Sequence, residues 1–283
     1  MKVAYLILAH ANPAMLKELV TAINRPKETV FVHLDRKTAM PPFEKLLAGQ
    51  CTFIGQRENV SWGSFSTIRA TLNLLQAAIA AGPFDYYCLL SGCDYPIKPV
   101  RTFESYLAAH AGNEYIGCRN IAGLPPKFKK RYTGFFLFEN RSEFLKKLNF
   151  GITKIQRLFY KRKPYAGKPI FYGSQWWTLT GACVKYIMDF IAAHPDCMSY
   201  FRYTHLPDEM FFHTIIVGSA FAGKVQNDNL RHIVFEEDRS HPRVCTMSDK
   251  ETLLQSPACF ARKFDLSIDS DIVEHLKNVL INE

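Results

Sequence analysis

Two short segments place chemistry-bearing side chains where they could act together. In Leu206-Pro207-Asp208-Glu209-Met210-Phe211-Phe212, two acids open a helix and bulky apolar residues follow at once. Asp208 reads as a cap for the free N–H groups of that helix. Glu209 has two readings. Against Met210, Phe211, Phe212 and the Trp176-Trp177 pair it would be partly desolvated, which raises a carboxylate's basicity toward neutrality and suits it to take a proton from a hydroxyl. By spacing alone, general base and structural cap stand level. The second segment, Phe260-Ala261-Arg262-Lys263-Phe264-Asp265, sets two adjacent cations among aromatic residues. Neighbouring cations repel, so fixing their bases there makes most sense with a polyanion opposite. A snorkelling surface pair is the better reading of that segment taken alone.

Other engines are excluded. The sequence lacks G-x-x-x-x-G-K-[ST], G-x-G-x-x-G, G-x-S-x-G and H-E-x-x-H, which removes the commonest ATPase, dehydrogenase, esterase and metalloprotease readings. A literal D-x-D occurs at Asp269-Ser270-Asp271, directly before the helical run Ile272-Val273-Glu274-His275-Leu276. Both acids there read as a cap and a favourable charge at the positive helix end rather than as metal ligands. The eight cysteines form no C-x-x-C pair and several lie in apolar runs, so they read as buried free thiols, neither a disulfide framework nor a zinc site.

The elements that must hold these segments follow from hydrophobic period. The first 120 residues alternate short apolar runs with helix-period segments, the pattern of βαβ units and a largely parallel sheet. Strands are expected at 3–9, 29–34, 51–54, 86–90 and 114–117. Asn12-Pro13 and Met40-Pro41-Pro42 each introduce a helix with proline in its first turn. A third helix covers 66–81, with Ile68, Leu72, Leu75 and Ile79 on one face. In such sheets ligands bind beyond the carboxyl ends of the strands. The residues found there are His10-Ala11-Asn12, Asp35-Arg36-Lys37, Ser61-Trp62-Gly63 and Ser91-Gly92-Cys93-Asp94-Tyr95-Pro96.

Residues 121–170 lose the alternation and read as a basic insertion that could border an acceptor, with a disordered surface loop as the plain alternative. The sheet pattern returns from Phe171 through Leu179, and helices are expected through Ile187 and Ile191, from Glu209 to Ile216 and from Asp271, with a strand at 230–235. The whole of 1–283 is read as one domain: a nucleotide-binding half (1–120), the insertion, and a catalytic and diphosphate-binding half (171–283). No apolar run reaches the roughly 18 to 20 residues of a membrane span, and no signal peptide is evident, so a cytoplasmic location is expected. The net charge of +9 concentrates in the insertion, at 127–131, Lys146, Lys147 and 157–168. A solvated face explains it most simply, peripheral contact with an anionic membrane or an acidic acceptor comes next, and nucleic acid comes last for want of any motif.

Seven segments in order resemble one family. They are His33-Leu34-Asp35-Arg36-Lys37, Val60-Ser61-Trp62-Gly63, Leu90-Ser91-Gly92-Cys93-Asp94-Tyr95-Pro96-Ile97, Gly173-Ser174-Gln175-Trp176-Trp177, Leu206-Pro207-Asp208-Glu209-Met210-Phe211-Phe212-His213-Thr214, Asn227-Asp228-Asn229-Leu230-Arg231 and Phe260-Ala261-Arg262-Lys263-Phe264. Together they resemble the family 14 glycosyltransferases, which include the core 2 and I-branching N-acetylglucosaminyltransferases and the peptide O-xylosyltransferases. The resemblance implies an α/β, GT-A-like (Rossmann-type) fold and transfer of a sugar from a UDP-sugar with inversion. It implies no metal and no other cofactor, since basic residues neutralise the diphosphate. It puts Glu209 at the catalytic base, and Arg262, Lys263 and Arg243, with Ser240 beside it, at the diphosphate. Leu8, Asp35, Val60, Ser61 and Trp62 line up with the nucleotide pocket, and Gln175 and Trp176 with the donor sugar.

The departures are informative. The xylosyltransferases carry an acid where this chain has Gln175, which leaves N-acetylglucosamine and xylose both open. Animal members have a membrane anchor and disulfides, so a chain with neither reads as a bacterial member. The acceptor, a glycan or another hydroxyl compound, finds no matched residue, although Asp94 is an acceptor-side candidate and the next choice for the base. The rival from another class is a non-catalytic module for anionic polymers, acidic glycan or nucleic acid, whose binding would weaken steeply with salt and ignore UDP.

Overall fold

The structure is a computed structural model and describes residues 1–139, 142–236 and 242–282. Its strands are β1 (Val3–Ala9), β2 (Val30–Leu34), β3 (Thr52–Phe53), β4 (Tyr86–Ser91), β5 (Asp94–Pro96), β6 (Tyr115–Ile116), β7 (Arg119–Asn120), β8 (Phe171–Tyr172), β9 (Trp177–Thr180), β10 (Arg231–Ile233) and β11 (Phe260–Arg262). Its α-helices are α1 (Pro13–Ile23), α2 (Pro41–Leu47), α3 (Ser66–Ala81), α4 (Val100–Ala109), α5 (Pro126–Lys129), α6 (Glu143–Phe159), α7 (Gly181–Ala193), α8 (Pro195–Arg202), α9 (Phe211–Val217), α10 (Lys250–Gln255) and α11 (Asp271–Asn282). The central sheet runs β3-β2-β1-β4-β9-β6. β3, β2, β1 and β4 are parallel, and β9 is antiparallel to both its neighbours.

β1 is buried along nearly its whole length because both faces of a parallel sheet are covered. Alternate residues feed two cores: Ala4 and Leu6 pack with α3, α7 and α9 residues, while Tyr5 and Ile7 pack with α1, α2 and α4. Two helix starts follow from their first residues. The Asn12 side chain accepts from the Met15 N–H at 3.0 Å and Pro13 opens α1, and Asp269 accepts from the N–H groups of Asp271 and Ile272 at the start of α11. Of the D-x-D pair, Asp269 is therefore spent on capping. All eight cysteines are free.

A small sheet, β10-β11-β5, extends the fold beyond the end of β4. The antiparallel register of β11 on β5 sets Arg262 directly opposite Asp94. The chain order β2-β1-β4 reverses direction at β1, so the crevice beyond the carboxyl ends of β1 and β4 is where ligands bind in this architecture.

Some expectations are corrected. The strands expected at 29–34, 51–54, 114–117 and 230–235 are shorter, and Ile79 lies 42% exposed at the end of α3 rather than on its buried face. The apolar run 171–179 is two strands, and in the break between them Gly173 runs so close to the Gly117 carbonyl that a Cβ would fall 1.6 Å from its oxygen. The insertion 121–170 is not a plain loop: it contains α6, a helix of 17 residues.

Candidate active site

The loop after β1 and the loop after β2 form one rim. The Asp35 N–H donates to the Ala9 carbonyl at 2.8 Å, and the buried Asp35 carboxylate accepts from the Lys37 N–H at 2.9 Å. The Lys37 ammonium then reaches the Val60 carbonyl at 2.6 Å, tying the third loop to the second. Leu8, half-buried, is in register with Ser91 of β4 and accepts from the Gly92 N–H at 2.9 Å. Ser61 is buried, while Trp62 is 49% exposed with the His205 ring edge-on at 6.1 Å. Leu8, Asp35, Val60, Ser61 and Trp62 are thus carried by neighbouring loops at one end of the sheet. His10, at the end of β1, is near enough to Asp35, Lys37, Arg262 and Lys263 to feel their charges, which links this rim to the cation pair.

The cation pair is held from two sides. The Arg262 guanidinium lies 4.4 Å over the Trp176 ring, and its Nε is 3.7 Å from the Asp94 carboxylate. A cation gripped between a π-face and a buried acid has little rotamer freedom, so it is preorganised toward whatever anion arrives. This corrects the role expected of Asp94. It is fully buried, accepts from the Ser91 N–H at 2.9 Å and supports Arg262 from below, so no acceptor can touch it. Burial pushes its carboxyl up, while Arg262, the Ser91 N–H and Arg231 pull it down. Lys263 is partly exposed and makes no ion pair among the described residues. Arg243 runs alongside, its carbonyl accepting from the Lys263 N–H at 3.4 Å, but its guanidinium is taken by Asp249 at 2.8 and 2.5 Å. Gln175 is partly exposed beside Trp176. Ser240 lies outside the described residues.

Glu209 closes the other side. A bulky residue in the left-handed region, Leu206 at φ 50°, turns the chain into the short helix Pro207–Glu209, and its N–H donates to the Gly63 carbonyl at 3.0 Å. Such a conformation persists only where surrounding contacts over-determine it. The Glu209 carboxylate is about a quarter exposed and paired with Arg131. Its carbonyl accepts from the Gly173 N–H at 2.9 Å, so residues 173–176 bridge Glu209 to the ring beneath Arg262. Arg131 in turn stacks on Phe128 at 5.1 Å and Tyr172 at 5.0 Å. Desolvation and the Glu209 charge together push the Tyr172 phenol up to about 12.

The acid before Glu209, Asp208, is the more deeply buried of the two. That side chain is 8% exposed, its Oδ1 has no hydrogen-bond partner, and burial followed by the Glu209 charge pushes its carboxyl up to about 7. Asp208 therefore does not cap with a free carboxylate as expected. A raised folded-state pKa means the unfolded chain releases this proton first, so Asp208 lowers stability progressively as pH rises from about 4 to about 7. Asp208→Asn is expected to remove that slope and melt a few degrees above the wild type just above neutrality, with the two alike near pH 4. Melting curves across that range that stay parallel would contradict the assignment.

Arg131 and Tyr172 were not among the residues singled out from sequence. Arg131 was visible only as the end of the basic cluster 127–131, and nothing there selects it over Lys129 or Lys130.

A family model described as Core-2/I-Branching enzyme matches residues 3–253, which takes in both the Asp35 rim and Glu209. The chain belongs to the Core-2/I-branching enzyme family. A human N-acetyllactosaminide beta-1,6-N-acetylglucosaminyl-transferase is 28% identical over 97% of this chain and 71% of its own length. A human protein described as a probable beta-1,3-galactosyl-O-glycosyl-glycoprotein beta-1,6-N-acetylglucosaminyltransferase is 26% identical over 97% of this chain and 66% of its own. Xylosyltransferase 2 of the dog is 24% identical over 97% of this chain, which spans 33% of that protein. Among solved structures, a cytidylyltransferase from Leptospira borgpetersenii aligns with a TM-score of 0.39 and 13% identity over 98% of this chain and 94% of that one. Members of the Core-2/I-branching family named here transfer sugars, and this chain is a glycosyltransferase domain of that family.

Proposed function

We propose that the domain moves N-acetylglucosamine or xylose from a UDP-sugar to a hydroxyl of a glycan or other acceptor, in one displacement that inverts the anomeric carbon and needs no metal. The observation that carries this reading is the bridge 173–176, which ties the Glu209 backbone at one end and the Arg262 guanidinium, over Trp176, at the other to one loop. The acceptor oxygen forms its bond to the anomeric carbon as Glu209 takes its proton. The bond from that carbon to the diphosphate oxygen breaks, and UDP leaves with the electron pair. Charge develops on the departing diphosphate, which Arg262, held by Trp176 and Asp94, would face together with the neighbouring Lys263 and with Arg243 on the adjoining segment. Such preorganised cations are worth several kcal/mol in the transition state. Asp35 and the Val60-Ser61-Trp62 loop would hold the nucleotide.

One feature supports the metal-free form of this reading: the Asp269 carboxylate of the D-x-D segment is taken by the N–H groups of Asp271 and Ile272 at the start of α11. Turnover of a UDP-sugar is expected to proceed unchanged in excess EDTA. Activity lost to the chelator and restored by manganese would overturn it.

A further inference from the structure

α6 is turned inside out for a helix in water. Its polar side chains face the protein: Asn149, almost fully buried, exchanges hydrogen bonds with the Phe138 backbone at 2.6 and 3.0 Å, buried Thr153 donates to the Phe135 carbonyl at 2.9 Å, and Gln156 accepts from the Phe135 N–H at 3.0 Å. Four of its apolar side chains face out, while Phe150 packs on Phe136 and His205. Phe144 is 71% exposed, Ile155 62%, Leu158 79% and Phe159 87%. At 100° per residue these positions, with Leu148, fall on one stripe, and exposed Lys147 and Lys154 border it. An apolar stripe of this size on a protein surface marks something that covers it.

Charge identifies the cover. Residues 121–170 contain thirteen Lys and Arg against two acids, more net positive charge than the whole chain carries. A second copy of the chain on this stripe would bring like charges together across a two-fold axis. An anionic bilayer supplies both an apolar layer for the stripe and negative headgroups for Lys147, Lys154, Lys161 and Lys163. No described helix is long and apolar enough to cross a membrane, and α6 would lie on the bilayer surface.

We propose that α6 and the basic residues after it dock in the plane of an anionic lipid bilayer, with Phe144, Ile155, Leu158 and Phe159 in the acyl boundary and the lysines at the headgroups. Docking would set the active-site rim beside the membrane, because Phe150 of α6 packs on His205 at 5.3 Å and Lys146 lies 5.7 Å from the exposed Trp62 ring. The inference is independent of Glu209's role.

Co-sedimentation with vesicles tests it. The protein is expected to pellet with equimolar phosphatidylcholine and phosphatidylglycerol, to stay in solution with phosphatidylcholine alone, and to be released by high salt. The triple variant Phe144→Ser, Ile155→Ser, Leu158→Ser is expected to lose vesicle affinity at least tenfold with an unchanged melting temperature, since these side chains are exposed. Lys147→Glu with Lys154→Glu should weaken binding similarly. Equal binding to neutral vesicles, no binding to either, or a triple variant that pellets like the wild type would overturn the proposal. So would a micromolar dimer in sedimentation velocity that the triple variant abolishes while lipid binding is unaffected.

Discussion

Glu209→Gln is expected to bind UDP as the wild type does and to transfer sugar about a thousandfold more slowly, the usual range for loss of a general base. The substitution is nearly isosteric. Its amide oxygen can still accept from Arg131, and its backbone carbonyl still holds Gly173, so the bridge to Trp176 and Arg262 stays in place. Only the capacity to take a proton is removed. No nearby acid can stand in: Asp208 is buried beneath the loop, and Asp94 is fully enclosed under Arg262. The split between retained UDP affinity, read by calorimetry, and lost turnover separates a base from a structural cap. A variant that turned over at the wild-type rate would place the base elsewhere.

Loss of the cation pair should be nearly as costly, and the two members should fail differently. Lys263→Ala removes a cation that makes no ion pair among the described residues, so the fold is expected to be untouched while UDP affinity and transfer fall by about a hundredfold. Arg262→Ala also strips buried Asp94 of its partner, which leaves a buried carboxyl without its compensating charge at a cost of about 3 kcal/mol or more. Adding Asp94→Asn to Arg262→Ala is therefore expected to recover much of the melting temperature and none of the UDP binding. Recovery of both would mean that Arg262 acts through the fold and not on the diphosphate.

The contrast between Arg262 and Asp94 shows where sequence reading stops. Local signals were legible because one segment carries the whole interaction: Asn12-Pro13 caps and starts α1, Asp269 caps α11, and the unbroken apolar run 3–9 is a central parallel strand. The Asp94–Arg262 pair was not, because it exists only through the register of β11 on β5, across 168 positions of chain. Arg131 escaped notice for the same reason, since its partner Glu209 lies 78 residues away. Glu209 was found by its apolar followers, yet Met210, Phe211 and Phe212 are buried with the core while its own carboxylate points to Arg131 and solvent. The most deeply buried acid of the segment lies one position earlier, at Asp208. α6 was not expected at all, because its buried face is polar and is selected by backbone groups of 135–138, which no inward apolar stripe could signal.

The anomeric configuration of the first product bears most directly on a one-step displacement driven by Glu209. UDP-α-N-acetylglucosamine and UDP-α-xylose, each supplied with the enzyme and EDTA, can be followed by proton NMR as water or an added glycan takes the sugar. The β-anomer is expected to appear first from whichever donor is used. Initial formation of the α-anomer, or turnover of neither donor, would contradict the account.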